Sequence, residues 1–409
     1  MPRWRLPADP SLQRKVHPSC PRPSSSPRAP VADIQPDAVA QPRAVTARRW
    51  RHPVGQPWVG LGGLLLAAVV FFALAFGAGG TGPSLLILGP MSTFALLAVA
   101  MIAFWWNDWP GSALAMPWTG VVDTSLVAGA SVVLTIAAQA VVERSELRGV
   151  FEANPGPGVP MTFPATVALG GAAFTVMLQL SLVCERWPLS MIGRIRSGVA
   201  ALALSWAIAV GLYFLFVNLD FVPAAERAAT GLRNPGGPVP APDFGSALIV
   251  IGVWQTVIFI ALGGWPLTAI ANRGRRLLAG NALVLGPGVL TFVALRALVH
   301  WQTSTINALC GCIISAALIV AMLFEGWPGT RLRPGPGRAV TLALTAVTAA
   351  ALYGSLAAYA DSVHWANATP DEWITTAALG FIGAGVILHI AIGVRWPIVA
   401  STKESSQRL

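Results

Sequence analysis

The chain has 409 residues, of which 55% are hydrophobic and only 11% charged, and its formal net charge is +10. So much apolar surface does not fit inside one soluble core and calls for lipid as solvent. The basic excess sits in a tail and in short loops rather than on a face interleaved with aromatics, which excludes a nucleic-acid partner.

Residues 1–57 hold twelve prolines and ten Arg or Lys against three Asp. Such a segment buries too little apolar area to offset its chain entropy and is expected to be a disordered cytoplasmic tail. Arg48-Arg49-Trp50-Arg51, just ahead of the first apolar run, reads as a membrane-proximal basic clamp in contact with anionic lipid rather than as a twin-arginine export signal. No separate cleavable signal peptide is read before it. Nearly all basic residues are arginine, with Lys15 and Lys403 as the two lysines, a composition that suggests a GC-rich bacterium.

Ten apolar runs follow, at 59–79, 84–106, 119–141, 163–183, 197–219, 244–264, 277–300, 305–325, 339–360 and 374–394. Each has about the twenty residues that an α-helix needs to cross ~30 Å of hydrocarbon. The runs are continuously apolar, whereas the strands of a membrane β-barrel alternate. Loops after the even runs, with the C-terminus, carry twelve positive and four acidic residues, and loops after the odd runs carry four positive and nine acidic. The positive-inside rule therefore puts both termini in the cytoplasm of a plasma-membrane protein, with residues 58–398 forming the membrane domain and 399–409 a short cytoplasmic tail.

Every even run closes on the same dipeptide: Trp109-Pro110, Trp187-Pro188, Trp265-Pro266, Trp327-Pro328 and Trp396-Pro397. An indole anchors at the interface and a proline forbids a regular continuation of the helix, so these pairs read as structural anchors that fix depth and end a span. In four copies a Ser or Thr stands two residues after the proline (Ser112, Ser190, Thr268, Thr330), suited to cap or turn a short segment. The expected fold is an all-α integral membrane protein of ten transmembrane helices in five tandem helical hairpins, N-in/C-in, produced by duplication. A competing scheme, two inverted five-helix halves, rests on Leu86-Ile87-Leu88-Gly89-Pro90 echoing Leu283-Val284-Leu285-Gly286-Pro287.

Candidate functional residues are few. Gly286-Pro287-Gly288 interrupts the seventh run and is read as a hinge or substrate contact, with Asn281 nearby. Asp123 and Arg296 are the ionised side chains inside the runs, placed to snorkel or to line a polar path, and His389 lies deeper. Gln139, Gln179, Gln255 and Asn307 are expected to bond between helices. On the external side Asp361 and His364 share a helical face, and His300 occupies the related place in Val299-His300-Trp301. Two histidines and one carboxylate fall short of a metal site, the four cysteines form no ligand set, and no nucleotide loop or catalytic constellation is present. No cofactor or catalytic residue is assigned. The leading expectation is a transporter or permease for a small or lipophilic solute, with membrane or ATPase subunits as partners. A non-catalytic scaffold is the alternative, and a lipid-modifying enzyme comes third.

Overall fold

The computed structural model describes residues 55–115, 118–366 and 368–392. Residues 1–54 of the expected tail, which include the basic clamp at 48–51, together with Trp396-Pro397 and 399–409, lie outside the described residues. Among the described residues nine helices are long and apolar enough to cross a membrane: α1 (Trp58–Phe76), α2 (Thr81–Trp106), α3 (Trp118–Val142), α5 (Arg194–Phe216), α6 (Ala241–Ala261), α7 (Arg273–Ala297), α8 (Thr303–Leu323), α9 (Pro334–Ala360) and α10 (Pro370–Ile390). The fourth apolar run is shorter than expected. Pro164 pushes Phe163 into an extended conformation (φ −99°, ψ 134°) that splits off the first turn, leaving α4 (Val167–Val183) as the uninterrupted helix.

The even and odd helices play different parts. In α2, α6, α8 and α10 between 50% and 72% of the spanning residues are buried, against 17% to 33% in the odd helices. The even helices pack in a closed ring, α2 on α4, α4 on α6, α6 on α8, α8 on α10 and α10 back on α2. Around it, each odd helix leans on the even helix before it and on the last turn of the even helix preceding that one; α1 completes the cycle on α10 and α8. The outer faces of α1, α5 and α7 expose Leu65, Val69, Phe72, Leu215 and Leu290, apolar side chains that belong in contact with lipid.

Among helices consecutive in the chain, the closest pairs are α2 with α3, α4 with α5, α6 with α7 and α8 with α9, each joined across a Trp-Pro loop. Between consecutive helices, packing is therefore tighter across the dipeptide than within hairpins that end at it. Four Trp-Pro junctions share one backbone path. The even helix widens into a π-helical turn at Met101–Trp106, Gln179–Val183, Val257–Ala261 and Ile319–Leu323. Two residues with positive φ follow (Asn107 and Asp108, Glu185 and Arg186, Gly263 and Gly264, Glu325 and Gly326), then a cis Trp-Pro bond. One turn of 3-10 helix then leads towards the next odd helix. The Ser and Thr after the prolines do not cap this turn with their side chains; their backbone N–H groups bond four residues back, as from Ser190 to the Arg186 carbonyl at 2.9 Å and from Thr330 to that of Gly326 at 3.0 Å.

The residue after each proline fits the odd helix beyond it. Gly111 and Gly329 lie flush against α3 and α9: a Cβ at Gly329 would sit 2.6 Å from the Gly337 carbonyl oxygen and the Thr341 hydroxyl, and one at Gly111 would meet the Asp123 carboxylate. Where the residue is Leu267, it reaches α7 beside Gly280, whose Cβ position lies 3.4 Å from the leucine Cδ1, and Leu189 packs in the same cluster as Ala201 of α5. Glycine meets a polar side chain at the other two junctions.

Gly329→Ala is expected to cost about 1–3 kcal/mol through overpacking. Gly354→Ala, in α9 and with nothing within 4 Å of its Cβ position, should be neutral or stabilising by a few tenths to about 1 kcal/mol. Thermal unfolding of both variants in detergent micelles checks the pair.

Candidate functional site

The Gly-Pro-Gly sequence lies on α7, an outer helix, and the helix runs through it without a break from Arg273 to Ala297. Gly286 is exposed with nothing within 4 Å of its Cβ position, while Gly288 is buried against α6, where a Cβ would stand 2.7 Å from Ile251 Cγ1. Proline removes one backbone bond, and the glycine beside it lets α7 approach α6 closely. Pro90, the candidate counterpart, is buried on the inner helix α2, so the two prolines occupy different layers.

Asn281, one to two turns earlier, takes part in a chain of carboxamides. Gln255 Nε2 donates to Gln179 Oε1 at 2.7 Å, Gln179 Nε2 to Asn281 Oδ1 at 2.8 Å, and Asn281 Nδ2 to the Leu277 carbonyl at 2.8 Å. Gln255 also donates to the Thr175 carbonyl at 3.1 Å, leaving its Oε1 buried without a partner. An amide offers a donor and an acceptor at one end of the side chain, which lets three of them tie α6, α4 and α7 together through an apolar interior.

The remaining candidates are dispersed. Arg296 Nε donates to Asp243 Oδ1 at 2.8 Å and its Nη1 to the Trp301 carbonyl at 2.8 Å, so it clamps α7 to the start of α6. His300, Asp361 and His364 are all exposed, and His300 has positive φ (57°). Among the described residues no three His, Cys, Asp or Glu side chains group as metal ligands. His389 stands beside Gly63 of α1, where a Cβ would lie 3.0 Å from its Nε2. Gln139 accepts the Glu146 N–H at 2.9 Å, a bond to a loop rather than to a helix, and Asn307 Oδ1 is buried without a partner. Of the expected anchors, Trp187 and Trp265 are 48% and 43% exposed, whereas Trp109 and Trp327 are half-buried and the Trp327 indole N–H is buried without a partner.

Asp123 turns into the first junction rather than towards solvent. It is fully buried, its Oδ1 accepts the Gly111 N–H at 2.8 Å, and its Oδ2 has no partner. Asp108 lies close by in the loop, where burial, and then the charge of Asp123, push its carboxyl up to about 7. The sequence offered a signal for this pair, since Asp108 immediately precedes Trp109 where the other four dipeptides follow Arg, Gly, Gly and Arg.

A cavity of about 370 Å³ lies between α6, α7 and α8. Nine apolar residues line it, among them Val250, Trp254, Leu295, Trp301 and Leu309, together with Thr291. The Thr291 hydroxyl already accepts the Trp254 indole N–H at 3.3 Å. Its size falls in the range of small-molecule sites, about 300–1,000 Å³, and its lining suits hydrocarbon.

No protein-family model, curated protein or solved structure matches this chain. The fold itself is that of a multi-pass α-helical membrane protein.

Gln179→Leu removes the middle of the carboxamide chain and leaves the buried Gln255 and the half-buried Asn281 each short of a partner. It should cost about 1–3 kcal/mol, with the Gln179→Leu, Asn281→Leu double variant less unstable than the sum of the singles in chemical denaturation. The pH dependence has a definite sign at Asp108. Its folded pKa lies above the unfolded value, so stability is fullest below the ordinary carboxylate range and falls as pH rises towards about 7. Asp108→Asn, which also tolerates positive φ, should lose less of its thermal midpoint than the wild type between about pH 4 and pH 8.

Proposed function

We propose that this chain is a membrane protein of the transporter or permease kind that takes a lipophilic solute laterally, from the lipid, into the cavity between α6, α7 and α8. The observation that carries this reading is the lining of that cavity: nine apolar side chains and a single hydroxyl already in use. A polar solute would lose its hydration there without replacement bonds, whereas an acyl or isoprenoid chain loses nothing. Asn281 and the close Gly288–Ile251 contact then serve as the packed back of the site, and Gly286-Pro287-Gly288 as the place where α7 moves against α6. Arg296 closes the rim.

The arginine asymmetry supports a plasma-membrane orientation with both termini and every Trp-Pro junction cytoplasmic, and an arginine-rich composition supports a bacterial source. The matched junctions at four dipeptides support an origin by duplication of a two-helix unit. The basic N-terminal segment is the part suited to anionic lipid, and further membrane or ATPase subunits are the partners that a transporter without a nucleotide site would use.

A second reading, a non-catalytic scaffold, is favoured by the inner ring itself. Gly170 sits on Phe94 and Gly380 on Ser92, each without room for a Cβ, as in a core built for rigidity.

The two readings separate in a photolabelling experiment on protein in bilayer nanodiscs. A fatty acid with a terminal diazirine should label peptides containing Trp254, Leu309 or Trp301 in preference to those of α1 and α5, and Leu309→Trp should reduce that label several-fold. Labelling spread evenly over the lipid-facing helices, unaffected by Leu309→Trp, would leave the scaffold.

A further inference from the structure

Away from the Trp-Pro junctions, three buried polar side chains lie at the ends of α3 and α5. Gln139 and Tyr213 are fully buried and Glu143 is 2% exposed. Gln139 and Glu143 are four residues apart and lie on one face of the end of α3. Tyr213, from α5, packs in the same buried cluster as Val142, the residue next to Glu143. Each contributes a buried polar atom with no hydrogen-bond partner: Gln139 Nε2, Glu143 Oε1 and Tyr213 Oη. Buried polar atoms are ordinarily satisfied, so three together mark a place built to hold something.

The surroundings close this place without neutralising it. The Glu146 N–H donates to Gln139 Oε1, and the Thr162 hydroxyl donates to the Gly149 carbonyl at 3.1 Å. Gly149 presses on the Pro160 carbonyl with no room for a Cβ. Arg233 caps the end of α3, its backbone N–H on the Val142 carbonyl at 2.8 Å and its guanidinium on those of Ala140 and Val141. The charged groups on every side are otherwise engaged. Arg144 pairs with Glu146 and Arg148 with Glu152 in the loop after α3, Arg227 lies 3.9 Å from Asp220 in the loop after α5, and Asp243 at the start of α6 pairs with Arg296. Glu143 has no ion-pair partner among the described residues.

We propose that Glu143, Gln139 and Tyr213 form a proton-binding site that exchanges one proton with the solution, and that its charge state governs how the 144–162 loop closes over it. The proton enters onto the Glu143 carboxylate and leaves from the same oxygen, with no other bond made or broken. In the neutral state the carboxyl remains covered; burial, partly offset by Gln139, holds it up to about 8. Once ionised, the carboxylate requires donors, and the Tyr213 hydroxyl and Gln139 Nε2 are the two at hand. Turning Gln139 towards it breaks the bond to Glu146, which loosens the loop. This reading is independent of the apolar cavity.

Infrared titration of the full chain in nanodiscs, with glutamate carboxyls labelled by carbon-13, tests the site without a variant. The expected result is a label-shifted protonated-carboxyl band at neutral pH that disappears well above the ordinary range of about 4 for glutamate. It should be absent from Glu143→Gln and retained in Asp108→Asn. Hydrogen exchange in the 144–162 loop should rise over the same pH interval in the wild type and remain flat in Glu143→Gln. No labelled protonated band at neutral pH in the wild type, or a band that survives in Glu143→Gln, would overturn the proposal; so would loop exchange that rises equally in both proteins.

Discussion

Everything in this structure depends on how the inner helices end. In hydrocarbon a backbone group without a partner costs several kcal/mol, and a proline ahead cannot supply an N–H. The chain resolves this inside the last turn by lengthening the hydrogen-bond ring. The N–H groups of Cys184, Leu262 and Phe324 reach back five residues, to Gln179, Val257 and Ile319, and those of Arg186, Gly264 and Gly326 reach back six, to Leu180, Ile258 and Val320. This closure forces two consecutive left-handed residues, which is why Gly263, Gly264 and Gly326 occur there and why the non-glycine occupants include Asn107 and Asp108, residue types that tolerate αL. Trp then arrives at the interface at a fixed angle, and the next helix is returned along the outside of the ring.

The arginines near these ends do more than set topology. Trp106 Nε1 donates to the Ile195 carbonyl at the start of α5, Arg276 of α7 forks onto Glu185, and Arg338 of α9 lies 4.8 Å over the Trp265 ring. In each case the start of one odd helix engages the junction of the even helix three positions before it. Arg186 adds a link from the second junction back to the Phe104 carbonyl at 2.7 Å. The arginines near these ends are thus also the fastenings of a collar, although exposed pairs alone contribute little.

Much of this was legible in the sequence. Span length and apolar run were enough for nine of the helices, and Trp-Pro marked the even ends. Which helices form the ring was not legible, because lipid and protein interior are equally apolar: Leu65 on the outside and Leu85 in the core look alike in a one-dimensional string. The kink at Phe163 was foreseeable from the proline after it, yet the apolar run hides it. Of the candidate site, Gln179, Gln255 and Asn281 were recognisable as polar residues in apolar runs, but their convergence requires knowing that α4, α6 and α7 meet. Glu143 and Tyr213 were missed for a different reason. Glu143 reads as one of several acids at a loop margin, and only packing shows that it is covered.

A ring of near-equivalent units also tells where chemistry is to be sought, since stability alone explains what the units share and leaves unexplained where they differ. Fourteen residues beyond the Trp of each described junction stand Asp123, Ala201, Ala279 and Thr341. Ala201 and Ala279 are small and apolar, Thr341 faces a glycine, and Asp123 faces a glycine with a buried carboxyl that α3 must then accommodate. The carboxamide chain likewise joins α4, α6 and α7 alone, and the apolar cavity lies beside the same α6 and α7. Departures from equivalence therefore gather in two sectors, one with buried acids at both ends of α3 and one with an apolar cavity backed by amides. A protein that required only a rigid ring would have no need of either.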